Sequence, residues 1–158
     1  MNHRINLLMF SGDYDKALAG FILANSAKDI GLDVTMFFAF WGLFLMRQPD
    51  KTVENDKTFY EKIFGSVTPD NPETLPLSKM NMGGLGKQML INMMKDKNAP
   101  RLIDLIQEAR ENKITFFGCK LSMDIMGLKK EELIPELQVV TAQDYLRDAI
   151  SSNLQLFI

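Results

Sequence analysis

The sequence predicts a three-layer α/β sandwich with a mainly parallel sheet of about five strands. Three observations carry this reading. Short apolar runs rich in β-branched and aromatic residues alternate with segments of helical spacing along the 158 residues. Strand, helix and strand signals fill roughly the first 40 residues, the length of a βαβ unit, which pairs its strands in parallel through a right-handed crossover. A further buried run, "ITFFG", follows two more helical segments. A chain of this length fits one domain, 1–158, and can bury roughly 70% of its unfolded surface without disulfides or metals.

The elements follow in order. "RINLLMF" is an apolar run that stops at "SGD", where Ser11 or Asp13 can accept hydrogen bonds from the free N–H groups of a new helix. In that helix Ala17, Leu18, Phe21, Ile22 and Ala24 recur at helical spacing, and Gly31 is placed to end it in a left-handed conformation. "DVTMFFAF" predicts a second buried strand. The greasiest stretch, Val34 to Met46, spans thirteen residues, whereas a membrane-crossing helix needs about 20. It reads as a buried strand running into a short helix. Residues 48–80 hold four of the six prolines and many polar residues, so they predict an irregular excursion over the domain with one helix around Phe59 to Phe64. "GKQMLINMMKDK" is helical. "NAPRLIDLIQEARENK" predicts a helix capped by Asn98, with Pro100 in its first turn and Leu102, Ile103, Leu105, Ile106 and Ala109 on one face. After "ITFFG" come the cysteine segment, "KKEELI" and the short strand "LQVV". "TAQDYLRDAI" opens with Thr141 and Asp144 in capping-box spacing, and "LQLFI" closes the chain as a strand or packs onto its surface.

Composition excludes several classes of function. Lys plus Arg number 18 against 20 Asp plus Glu, with the signs interspersed, so there is no basic face to neutralise nucleic-acid phosphates. The single cysteine cannot form an internal disulfide, and "MNHRINLLMFSGD" is too short in its apolar part for a secretory signal. A cytoplasmic location without a membrane span is expected.

In open parallel sheets ligands bind at the carboxyl ends of the strands. "SGDYDK", "FWG" and "GCKLS" all reach that edge on this reading, which places Cys119 on the functional rim. The thiolate is the nucleophile, and a helix N-terminus or a nearby ammonium group favours it. Ser122 is placed to cap a short helix running through Met126 and ended by Gly127, with Lys120 adjacent and Lys16 within reach of the same rim. Free cysteine is also among the most buried residue types, so a small structural hydrophobe remains the competing reading. A cysteine–histidine dyad is excluded: His3, the only histidine, begins the first strand, about 20 Å from the opposite edge. Position 125, where a phosphatase-type loop would hold arginine, is Ile125.

"NMGGLGKQ" is not a Walker loop, because Asn81 stands at the first glycine position and Gln88 where Ser or Thr would ligate magnesium. Gly83 and Gly84 can still let backbone approach a ligand or a neighbouring subunit, with Lys87 steering an anion, or simply form a tight turn before a helix. Met80, Met82, Met89, Met93, Met94, Met123 and Met126 gather around this turn and the cysteine. Thioether sulfur can select Cu(I), but methionine more commonly fills irregular apolar gaps or lines an adaptable docking surface. Asp13, Asp15 and Asp124 lack the spacing of a metal site.

"SGDYDKALAGFILANSAKDIGLDVTMFFAFWGLFLM", "MNMGGLGKQML" and "GCKLSMDIMGLKKEELI" resemble, in that order, segments of the DsrE-like branch of the DsrE/DsrF/DsrH sulfur-relay family. The likeness covers most of the chain outside residues 48–75, and the cysteine followed by "SMDIMGL" is its most specific part. It implies a compact parallel α/β fold, homo-oligomers, and a cysteine, here Cys119, that carries sulfur as a persulfide. Donor or acceptor protein thiols are the implied partners, with no cofactor. The leading expectation is therefore a sulfur carrier or sulfurtransferase acting through Cys119, with Ser11, Gly12, Asp13, Lys16, Trp41, Gly83, Gly84, Gly118, Lys120 and Ser122 as the surrounding substrate-binding residues. Phe116, Phe117 and Trp41 are expected to supply a dry apolar wall. The alternative is a non-catalytic module that binds a small ligand or a protein in the strand-end crevice. "WGLFLM" is expected to expose apolar surface that a second subunit would cover.

Overall fold

Alternation of side chains along the first strand, β1 (Arg4–Met9), decides the layering. Ile5, Leu7 and Met9 enter one large core, while Leu8 joins a smaller cluster and Asn6 bonds to a helix on the other side of the sheet. The computed structural model describes residues 2–51, 53 and 55–158. Four further strands complete the sheet: β2 (Asp33–Phe38), β3 (Thr115–Cys119), β4 (Gln138–Val140) and β5 (Leu154–Phe157). The spatial order is β4-β3-β2-β1-β5 and every neighbouring pair is parallel. "LQLFI" is thus an edge strand beside β1, and the sandwich is a parallel five-stranded α/β architecture.

One face is covered by α1 (Tyr14–Asp29) and α4 (Leu102–Glu111), which are tied together where Asn25 Nδ2 donates to the Leu105 carbonyl at 3.0 Å. Phe21, Phe38 and Phe116 meet beneath them with ring centroids about 6 Å apart, each fully buried aromatic contributing roughly 1.5–3 kcal/mol. Gly31 follows α1 with φ +82°, the left-handed stop its position predicts. On the opposite face lies α6 (Ala142–Ile150), opened by the expected reciprocal Thr141–Asp144 cap and held to β1 by Asp148, which accepts from Asn6 at 2.7 Å and pairs with Arg4.

Two boundaries differ from expectation. Asn98 takes a left-handed φ of +53°, and α4 begins only at Leu102, because the Asp104 carboxylate accepts from the Arg101 N–H at 3.0 Å and completes the first turn there. Pro100 therefore precedes the helix. The "WGLFLM" segment is exposed only at Trp41, and its remainder is not an open edge. The 3-10 helix Phe40–Met46 tucks against the end of β1, where a side chain at Gly42 would come within 1.8 Å of the Met9 carbonyl, and Leu43 to Met46 are all buried in the core.

The excursion is more ordered than its composition suggests. It contains α2 (Phe59–Val67), capped reciprocally by Thr58 and Glu61, and a 3-10 turn at Pro72–Thr74. Its root is pinned by buried charge: Lys57 Nζ lies 2.8 Å from both oxygens of Glu132, and Arg47 donates to Thr68 Oγ1 at 3.2 Å and the Pro69 carbonyl at 3.1 Å. The last two helices are α3 (Leu85–Asp96) and α5 (Lys120–Met126), the latter ended by Gly127 at φ +69°. Neither α2 nor α3 has a fully buried residue. Among the described residues no helix is long and apolar enough to cross a membrane.

Candidate functional site

Cys119 is the last residue of β3 and the residue from which α5 starts. Strand alternation puts Thr115, Phe117 and Cys119 on the face of the sheet that α6 partly covers. There Cys119 clusters with Phe37 and Ala39, and Leu8, Phe117, Val140 and Tyr145 close around them. Tyr145 comes from α6, its ring centroid 4.4 Å from that of Phe37. Burial, reinforced by Asp148, pushes the Tyr145 phenol up, so it stays protonated at neutral pH. Cys119 retains 9% of its surface. The residue is thus buried in an apolar wall rather than standing free in a cleft.

That wall includes Phe117 but not the other two aromatic residues expected in it. Phe116 points to the opposite side of the sheet, into the large core, as its odd register relative to Cys119 requires. Trp41 lines a different cavity. Gly118 is needed for packing, since a side chain there would meet Leu137 Cδ2 at 2.6 Å. Lys120 pairs with Asp124 at 2.9 Å on the exposed side of α5. Ser122 is only 1% exposed and its hydroxyl has no hydrogen-bond partner among the described residues.

Ser11, Gly12, Asp13, Lys16 and Trp41 come together around a cavity of about 480 Å3 at the carboxyl end of β1, with Phe10, Phe44 and Leu75 completing its apolar side. Gly12 approaches Trp41 so closely that a side chain would lie 3.0 Å from the Trp41 Cβ. Asp13 occupies the position before α1 but makes no cap bond, pairing instead with Lys16 at 3.3 Å. Cys119 is not among the residues lining this cavity. With β2 between them, β1 and β3 lie two strand spacings apart, about 10 Å.

Gly83 (φ +65°) and Gly84 (φ +98°) form the turn into α3 with open space around them, and Gly86 touches the Met80 carbonyl so closely that a Cβ would sit 1.7 Å away. The glycines thus set backbone geometry. Lys87 is engaged: its ammonium lies 4.7 Å from the Tyr14 ring centroid and donates to the Glu73 carbonyl. Burial lowers its pKa, against the opposing pull of Glu73. Sequence reasoning did not single out Phe37 and Tyr145 as neighbours of the thiol. The continuous apolar run of "DVTMFFAF", buried on both faces of the sheet, was the signal for the first, whereas nothing local in α6 announces the second.

Comparison with known proteins places these features in context. The profile of the DsrE/DsrF/DrsH-like family matches residues 1–157. The chain is 38% identical over 155 residues to a Bacillus subtilis protein, "Uncharacterized protein YrkE", covering 98% of this chain and 96% of that one. It is 24% identical over 168 residues to "Sulfur carrier protein DsrE2" of Allochromatium vinosum, covering 98% of each. The crystal structure of the E. coli ychN protein superposes with a TM-score of 0.61 at 11% identity over 99% of both chains, a likeness of fold.

Proposed function

The chain belongs to the DsrE/DsrF/DrsH-like family, and from that membership we propose that it is a cytoplasmic sulfur carrier in which Cys119 accepts sulfane sulfur and delivers it to a partner thiol. The family and the named sulfur-carrier relative support a sulfur-relay role in general. The observation that carries the finer reading is the position of Cys119, the chain's sole cysteine, at a strand end directly before a helix, its side chain in an apolar wall.

In the loading step the Cys119 thiolate attacks the outer sulfur of a donor persulfide. The new S–S bond forms as the donor's S–S bond breaks, and the donor leaves as a thiolate. In delivery an acceptor thiolate attacks the outer sulfur on Cys119, which departs as thiolate. Both steps are exchanges with no net oxidation. With no second cysteine in the chain to resolve the adduct internally, the sulfur leaves to another molecule. The apolar wall excludes water from a sulfur that would otherwise be lost to side reactions. Homo-oligomers and thiol-bearing relay proteins are the partners this role implies.

Incubation with a persulfide donor should raise the intact mass by one sulfur atom in the wild type and leave Cys119→Ser unchanged. A wild-type chain that gains no sulfur from several donors overturns the reading. The cavity beside Trp41 favours a second reading, a binding module whose thiol is structural. In that case Cys119 would resist a small alkylating reagent until the protein is denatured.

A further inference from the structure

We propose that the cavity at the root of the excursion is an anion site that takes one small inorganic oxyanion, of the sulfate or phosphate type, against Arg47. The inference stands apart from the sulfur-carrier reading and involves no thiol. It starts from the charges withdrawn from water. The side chains of Arg47, Lys57 and Glu132 are 1%, 4% and 0% exposed, so two cations share the interior with one carboxylate. That carboxylate is already committed: Lys57 Nζ lies 2.8 Å from both of its oxygens, and the Lys129 N–H donates to one of them at 2.8 Å. Arg47 reaches it only at 3.9 Å. Otherwise the guanidinium donates to neutral acceptors, the Gly65 and Pro69 carbonyls and Thr68 Oγ1, and its Nε has no partner among the described residues. A buried lysine can shed its proton, but a guanidinium stays charged, so the surplus positive charge calls for an anion.

The space beside it suits one. A cavity of about 250 Å3 adjoins the guanidinium, with Lys57 and Lys62 also on its wall. Gly65 of α2 lies on the same wall, and a Cβ there would stand 3.8 Å from a terminal nitrogen of Arg47. The two carboxylates on the lining are engaged elsewhere: Glu61 accepts from the Thr58 N–H at 2.7 Å, and Asp70 from Asn71 Nδ2 at 2.8 Å. Drug-sized ligands need about 300–1,000 Å3 and a water about 30 Å3, so this volume fits a small ion with a few waters. An oxyanion offers the planar guanidinium fork the paired acceptors it matches, which a halide does not. Seated there, it would join Arg47, at the end of the core 3-10 helix, to Lys62 on α2, and so clamp the excursion to the domain.

The protein, exchanged into chloride buffer, is titrated with sodium sulfate and separately with sodium phosphate at constant ionic strength, and binding is read by equilibrium dialysis and by the thermal midpoint. One ion per chain should bind saturably and raise the midpoint, and the two titrations show which oxyanion is preferred. Lys62→Glu, a change at an exposed position, should weaken binding by at least about tenfold, as reversal of a charge near the ion requires. Lys95→Glu, the same change of net charge on α3 away from the cavity, should leave it unaltered. Arg47→Met should abolish both binding and the rise in midpoint, and should that variant not fold, Lys62→Glu still decides. A midpoint gain that does not saturate, or that is equal in wild type and Lys62→Glu, is a general salt effect and overturns the site. Displacement of the bound ion by an equal concentration of chloride overturns its assignment to an oxyanion.

Discussion

At the scale of single residues, backbone contact and carboxylate bonding set the sharpest constraints. Gly42 has the Met9 carbonyl where a Cβ would stand, 1.8 Å away, so Gly42→Ala must push the 3-10 segment off β1. A loss of about 3 kcal/mol in urea unfolding is expected, the upper end of overpacking costs, and a variant as stable as wild type would show that the segment is free to shift. Asp15 illustrates a finer balance. Burial alone would raise its pKa, but the hydroxyl and N–H of Ser78 both bond to the carboxylate and hold it below the usual value. Its folded pKa is depressed, so its contribution is complete above the unfolded value of 3.8 and disappears as pH falls through the folded value. Ser78→Ala should therefore lower stability at neutral pH and make the acid limb of the stability curve less steep below about pH 4. Parallel wild-type and variant curves across that range would refute the link.

Among the elements, α6 couples helix stability to access at the thiol. Its start rests on the Thr141–Asp144 cap, and its Tyr145 covers Phe37 beside Cys119. Thr141→Ala should cost about 1 kcal/mol and frays the turn that carries Tyr145. Alkylation of Cys119 should accordingly quicken several-fold while the remainder of the fold is retained. An unchanged rate would mean that Tyr145 does not guard the sulfur. How legible these elements were follows from the range of the forces that make them. Short apolar runs such as "RINLLM" and "DVTMFF" locate β1 and β2, and the spacing of Thr141 and Asp144 locates α6, because apolar clustering and capping are local. The fate of "WGLFLM" was not local: its burial depends on Gly42 meeting Met9, thirty-three residues earlier in the chain. The same distinction divides the candidate site. Cys119 stands at the strand end its sequence marks, whereas the cavity of Ser11, Gly12, Asp13, Lys16 and Trp41 proves to be separate from it, since only the strand order interposes β2.

Across the whole molecule, apolar surface remains after the single chain has folded. Leu85, Met89 and Met93 form an exposed stripe on α3, Tyr60, Ile63 and Val67 stand out from α2, and Ile150 and Phe157 lie open near the chain's end. They offer apolar surface for self-association that "WGLFLM", buried from Gly42 onward, does not. Sedimentation at micromolar concentration should give a species larger than one chain of 18.0 kDa, and a strict monomer would remove the proposed homo-oligomer. The charge cluster beneath the excursion has a consequence for its history and its engineering. Glu132, wholly sheltered from solvent, draws Lys57 from a segment that composition alone would mark as dispensable. Trimming the chain to a minimal sheet-and-helix body would leave that carboxylate only the longer contact to Arg47, 3.9 Å away, and would take from Arg47 its own acceptors at Gly65, Thr68 and Pro69; breaking such a buried pair costs about 3–5 kcal/mol, so any shortened descendant has to replace positions 47 and 132 in the same step.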